Sequence, residues 1–136
     1  MHKVSVLVIE ENAAEAALVA AALALRPEVQ VLDAPDLPGA LRRLQAPAAP
    51  VGLAIVGARA LGASTAELVS RLGAKGIPVV AITGGLAANV RQKALDTGVR
   101  EVYERPSEWR AYAELIEAVM SRFIRTDSPP RPGRTS

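Results

Sequence analysis

The chain has 136 residues, 50% of them apolar, and 16 Lys and Arg against 14 Asp and Glu give a formal charge of +2. That is material for one globular domain with a real core and too little for two; the near-balanced charge, with Arg131 and Arg134 set in a tail poor in apolar residues, leaves no basic stripe for nucleic acid. The absence of cysteine excludes disulfides, thiolate nucleophiles and Cys-based metal centres, and a single histidine, His2 at the very start of the chain, argues against His-ligated metal and Ser-His-Asp hydrolysis.

Taken in chain order, Val4 to Ile9 is a nearly unbroken run of β-branched residues and Leu, the mark of a strand buried on both faces. Glu10-Glu11-Asn12 follows, and then an Ala/Leu helix that reaches about Leu25, with Asn12 as N-cap, Glu15 in the first turn and Pro27 beyond the end. Val29 to Ala34 reads as a second strand, Leu37 to Leu44 as a helix, and Ala46 to Pro50 as a proline-punctuated turn. The third strand is Leu53 to Val56, ended by Gly57. After a loop containing Gly62, Ser64-Thr65-Ala66-Glu67 matches a capping box before a helix that Gly73 and Gly76 close. Ile77 to Ile82 is a fourth strand with Pro78 near its start, followed by Thr83-Gly84-Gly85. Asn89 to Thr97 is helical and stops at Gly98, Val99 to Tyr103 is a fifth strand, and Ser107 caps a last helix to about Ile124. Residues 126–136, rich in proline, read as a disordered tail or linker stub after a domain spanning 1–125.

Strands alternating with helices through short loops specify an α/β fold, a parallel sheet covered on both faces. With aromatics at 3%, the core is built from Val, Leu, Ile and Ala. The longest uncharged stretch, Gly76 to Val90, falls short of the roughly 18 apolar residues of a membrane span and is broken by Pro78, Gly84 and Gly85. Nor does the N-terminus carry the features of a signal peptide, so a soluble cytoplasmic protein without membrane contact is expected.

In such a sheet, function collects just beyond the carboxyl ends of the strands. The residues there are Glu10 and Glu11, Gly57, Thr83, and the Arg105-Pro106 pair. With Val6-Leu7-Val8-Ile9 before the acidic pair, Ala34-Pro35-Asp36 with Ala40-Leu41, the strand into Thr83, and Ala94-Leu95-Asp96-Thr97-Gly98, they make the chain from Val4 to Ile124 resemble the receiver domain of bacterial two-component response regulators. The resemblance implies a doubly wound, flavodoxin-like sheet of five parallel strands in the order 2-1-3-4-5 with five helices.

In a working receiver, two acidic residues after strand one hold Mg²⁺, and an Asp ending strand three accepts a phosphoryl group. A hydroxyl after strand four and a Lys before the proline after strand five bind that group. Carried over, the acidic pair falls on Glu10 and Glu11, the hydroxyl on Thr83, the basic residue on Arg105 and the acceptor on Gly57, which has no carboxylate to phosphorylate. The following loop departs too, with Ala60-Leu61 and Thr65 in place of Met-Pro and a glycine. The aromatic switch position falls on Val102, so Tyr103, one place later, is expected on the opposite side of its strand. The scaffold is kept while acceptor, loop and switch are lost, the pattern of a degenerate or pseudo-receiver. No cofactor is expected, because Mg²⁺ would find one carboxylate of the usual three missing, with Glu10 and Glu11 the only candidates.

Bland and sharp readings compete at each position. Glu10 and Glu11 suit a residual cation site or the dipole of the next helix, and an ion pair from them to Arg105 or Arg59 would plug the pocket. Thr83 suits an anion or its own loop backbone. Tyr103, Trp109 and Arg110 suit anchors for a protein partner, or for self-association, on the face of helix four, strand five and helix five, although Trp109 also suits packing over the sheet edge. The alanines from Ala13 to Ala24 suit close helix approach or simply a stable helix. The leading expectation is a phosphorylation-independent interaction module. The alternative is a sensor of a small ligand or anion between Gly57, Thr83 and Arg105. An enzyme is disfavoured, since the crevice has no His, no Cys and no evident nucleophile-base pair; separately, no helix-turn-helix is expected in the short tail from Thr126 to Ser136.

Overall fold

The computed structural model describes residues 3–45, 50–57, 63–84 and 88–124. Strands β1 (Val4–Ile9), β2 (Val29–Ala34), β3 (Val51–Gly57), β4 (Val79–Thr83) and β5 (Glu101–Glu104) form one sheet in the order β2-β1-β3-β4-β5, with every pairing parallel. Between and after them run α1 (Ala13–Leu23), α2 (Leu37–Arg43), α3 (Ala63–Ala74), α4 (Ala88–Asp96) and α5 (Trp109–Phe123).

Because successive side chains in a strand point to opposite faces, the unbroken apolar runs feed two cores at once. Val6 and Val8, Leu53 and Ile55, and Val80 and Ile82 face α1 and α5, where Tyr112, Ile116, Val119 and Met120 meet them. Leu7 and Ile9, Ala54 and Val56, and Val79 and Ala81 face α2, α3 and α4, packing on Ala40, Leu68, Leu72 and Ala94. At β5 the split puts Val102 in the second core and Tyr103 against the first, as the strand period requires.

Helix ends follow local chemistry. Asn12 Oδ1 accepts the Glu15 N–H at 3.0 Å, and Asp36 Oδ1 accepts the Gly39 N–H at 2.9 Å. At the end of α3 the Ile77 N–H reaches Leu72 O and the Gly76 N–H reaches Gly73 O, both at 2.9 Å, a paired closure that Gly76 permits with its φ of +77°.

Several boundaries differ from the sequence reading. Gly57 is the last residue of β3 and Thr83 the last of β4, since both still pair with their neighbours. β4 starts only after Pro78, whose carbonyl nonetheless accepts the Ala54 N–H at 3.0 Å. β5 begins two residues late because Gly98, at φ +99°, turns Val99 into the second core. α3 already includes Ala63, so Ser64 sits inside the first turn and is no N-cap, and Gly73 lies within the helix. Nor does Ser107 cap α5: the N-cap is Glu108, which makes no side-chain bond to the helix. His2, the Ala46 to Pro50 turn apart from Pro50, Arg59, Ala60-Leu61, Gly62, Gly85 and the tail from Thr126 lie outside the described residues.

Candidate functional site

The carboxyl ends of β1, β3 and β4 lie side by side, so the residues that end or follow them form one edge. Ile9 pairs with Val56, which sets Glu10 beside Gly57, and Gly57 in turn pairs with Ile82. Glu10 folds back over this edge. Its Oε2 accepts the Asn12 N–H at 2.9 Å, and the carboxylate lies across Gly57 so closely that a Cβ there would fall 2.7 Å from Glu10 Cδ. Only a glycine leaves that space to Glu10.

Arg105 follows β5 and is tied to β4 by its backbone N–H, which donates to Thr83 O at 2.7 Å. Its guanidinium passes over Gly84, where a Cβ would stand 3.3 Å from Nη2, and reaches Glu15 Oε1 at 2.8 Å. The ion pair expected from Glu10 or Glu11 to Arg105 is therefore corrected, since Arg105 takes Glu15; the other expected partner, Arg59, lies outside the described residues. The reason is positional, since the Asn12 cap puts Glu15 on the first turn of α1 facing β5, while Glu10 is held down by the Asn12 N–H and Glu11 is exposed.

Beneath these charges is a cavity of about 290 Å³ between α1, α5 and the sheet. Val8, Val19, Ile55 and Ile82 line its apolar part, and Glu10, Glu15, Arg105 and Tyr112 its polar end. Tyr112 is 2% exposed, and burial first, then the charge of Glu15, pushes its phenol up to about 12. Among the described residues no group hydrogen-bonds that hydroxyl, although the charges of Glu15, Arg105 and Glu10 act on it. Thr83 is buried beside this edge but does not line the cavity.

Among the described residues the donors at this edge do not fit a divalent cation. Glu10 is the one carboxylate turned over Gly57, Glu15 is held by Arg105 and Glu11 faces solvent. Among the described residues no group of three or more His, Cys, Asp or Glu side chains is placed to hold a metal ion, whereas Mg²⁺ demands a near-octahedral oxygen set.

The partner-binding candidates separate. Trp109, 46% exposed, and Arg110 line an open groove of about 630 Å³ between α1 and α5, together with Leu25, Ala113 and Ala118. Tyr103 is instead half-buried against the first core, with its hydroxyl bonded to Glu101, which also pairs with Arg122 of α5. Burial first, and then the bond to Glu101, raise the Tyr103 phenol to about 12. Leu18, Leu25 and Trp109 are the exposed large hydrophobics among the described residues, and all lie on or beside α1 and α5. Glu15 and Tyr112 escape the sequence reading as site residues, the first because an acid in a first helical turn reads as a dipole complement, the second because it sits in an apolar stripe. The one signal for Glu15 is its place after a firm N-cap, facing the same edge as Arg105.

The sequence matches no protein-family model and no curated protein. Solved structures do match. The phosphorylated cyanobacterial phytochrome response regulator RcpA is 20% identical, with 96% of this chain and 100% of that one covered at a TM-score of 0.75. A response regulator in red light signaling of R. palustris is 18% identical, covering 93% and 98% at 0.73. An orphan response regulator of H. pylori is 19% identical, covering 85% and 94% at 0.63. At such identities the likeness establishes the fold, a five-stranded parallel sheet of receiver type, and the site must be argued from its own residues. Among the described residues no helix is long and apolar enough to cross a membrane.

Proposed function

We propose that the protein is a pseudo-receiver of the response-regulator family, a cytoplasmic signalling module that works by protein-protein contact without a phosphorylation cycle or catalytic chemistry. The observation that carries this is the Glu10 carboxylate lying over Gly57. In the register of a receiver Gly57 stands at the acceptor position, so the space where a phosphoryl group would form is taken by the Glu10 carboxylate, whose negative charge repels it. Arg105 supports the same reading, because the cation at the phosphoryl-binding position is already paired with Glu15 at 2.8 Å. The contact surface is the groove between α1 and α5, where Trp109, Arg110 and the exposed Leu25 offer the residue types that dominate binding hot spots.

Titration with Mg²⁺ and beryllofluoride, a mimic of an acyl phosphate, tests this through backbone amide shifts and Trp109 fluorescence. The expected result is silence at Gly57, Gly84 and Arg105. Saturable shifts there that spread to Val102 would overturn the phosphate-independent reading.

A second reading is favoured by the cavity itself: a small ligand enters beside Glu10 and Arg105 and sets the affinity of the module for its partner. The volume beneath the edge and the buried Tyr112 hydroxyl support it.

A further inference from the structure

We infer that the cavity between α1, α5 and the sheet takes a small aliphatic ammonium compound that also carries a hydrogen-bond acceptor. This rests on the second reading above and gives it a ligand class.

Charge comes first. Three ionised side chains meet at the polar end, and Glu15 and Arg105 neutralise one another at 2.8 Å. Glu10 makes no ion pair among the described residues; its Oε2 has the Asn12 N–H, and its Oε1 lies over Gly57. Among the described residues the cavity mouth therefore keeps one uncompensated negative charge. A monocation balances it, an anion would meet Glu10 and would have to pull Arg105 away from Glu15, and a metal ion would find a single free carboxylate.

The Tyr112 hydroxyl gives the second requirement. Buried polar groups are almost always hydrogen-bonded, yet this one, 2% exposed at the polar end of the cavity, has no protein partner among the described residues. Its phenol stays protonated at neutral pH, so it has a proton to donate and calls for an acceptor. Val8, Val19, Ile55 and Ile82 supply the third requirement, an apolar body of a few carbons. The volume of about 290 Å³ stands at the lower end of small-molecule sites and suits a compound of that size.

The test uses four probes on one branched carbon skeleton: leucinol, leucine, isohexanol and isocaproate, followed by amide shifts of Gly57 and Gly84. Leucinol is expected to bind saturably and isocaproate not at all. Glu10→Gln, which keeps shape and removes charge, should weaken leucinol by about tenfold or more. Tyr112→Phe, which removes the hydroxyl alone, should weaken it by about threefold or more. Leucine binding as tightly as leucinol supports the class and names amino acids as its source. Isocaproate binding, isohexanol binding as tightly as leucinol, or an unchanged affinity in Glu10→Gln overturns the ammonium class while leaving ligand sensing intact. Silence from every probe overturns both.

Discussion

The two faces of the sheet are fed by the same strands with the same alternation, and they differ in what covers them. The face under α2, α3 and α4 is packed from Leu, Val and Ala, with Leu68 and Leu72 set among Ala40, Ala54, Ala81 and Ala94. The face under α1 and α5 holds both tyrosines, Met120 and the cavity, and its outer rim carries Trp109 and the ion pairs of Arg105 with Glu15 and of Arg26 with Glu117. Small side chains let the first set of helices sit close and leave little to adapt. On the other side, a large buried tyrosine and charged residues at the strand ends line a cavity between α1, α5 and the sheet. Among the described residues, one face is a plain apolar core and the other carries the cavity and the groove.

The sharpest way to break this contrast is to cut into the scaffold face. Leu72→Ala, at a fully buried position, is expected to cost about 3 kcal/mol in urea unfolding, because a close-packed surround collapses little into the hole. A loss below about 1 kcal/mol would mean that this face is as adaptable as the other.

The tyrosines probe the opposite face. Each has its phenol raised from 10 to about 12, by burial first in both cases. A raised folded-state value means that the fold favours the neutral form, so this contribution to stability is complete below the ordinary value and is lost as pH climbs towards the raised one. The tyrosinate absorbance should therefore appear only above pH 10, together with loss of helical circular dichroism and a change in Trp109 emission. Tyrosinate forming at the ordinary value in a folded protein would show that the cavity side is wet.

Two glycines sharpen the comparison further. Gly98 has φ +99° and its Cβ would press on Val69 at 2.9 Å, so Gly98→Ala should cost about 1–2 kcal/mol, read as a lowered Tm. Gly57→Ala should change stability by less than about 1 kcal/mol, because what it meets is the mobile end of Glu10. Its visible effect should be a shift of the Asn12 amide as the carboxylate swings away, and an unmoved amide would count against the placement of Glu10.

Most of the scaffold was legible in the residue order. Apolar runs without alternation marked strands buried on both faces, Asn12 marked the start of α1, and Val102 and Tyr103 fell on opposite sides as a period of two requires. Less legible were boundaries that depend on a neighbour: Gly57 belongs to β3 because Ile82 is there to pair with it, and β5 starts late because Gly98 spends two residues turning the chain. The edge residues Glu10, Gly57 and Arg105 were found from strand ends alone, whereas Glu15 and Tyr112 were not, since nothing local distinguishes a cap-turn acid or a stripe tyrosine from its structural counterpart.

What the sequence determined by itself was therefore the order of elements, their two-faced burial and the want of a carboxylate at the end of β3. These follow from periodicity and side-chain chemistry, which act within a few residues. The tertiary structure alone decided that Arg105 pairs with Glu15, that Glu10 takes the space above Gly57, and that Trp109 faces a groove beside α1. Those outcomes depend on which ends of distant segments the parallel crossovers bring together, and a charge finds its partner by distance in space, over chain separations that no local pattern records.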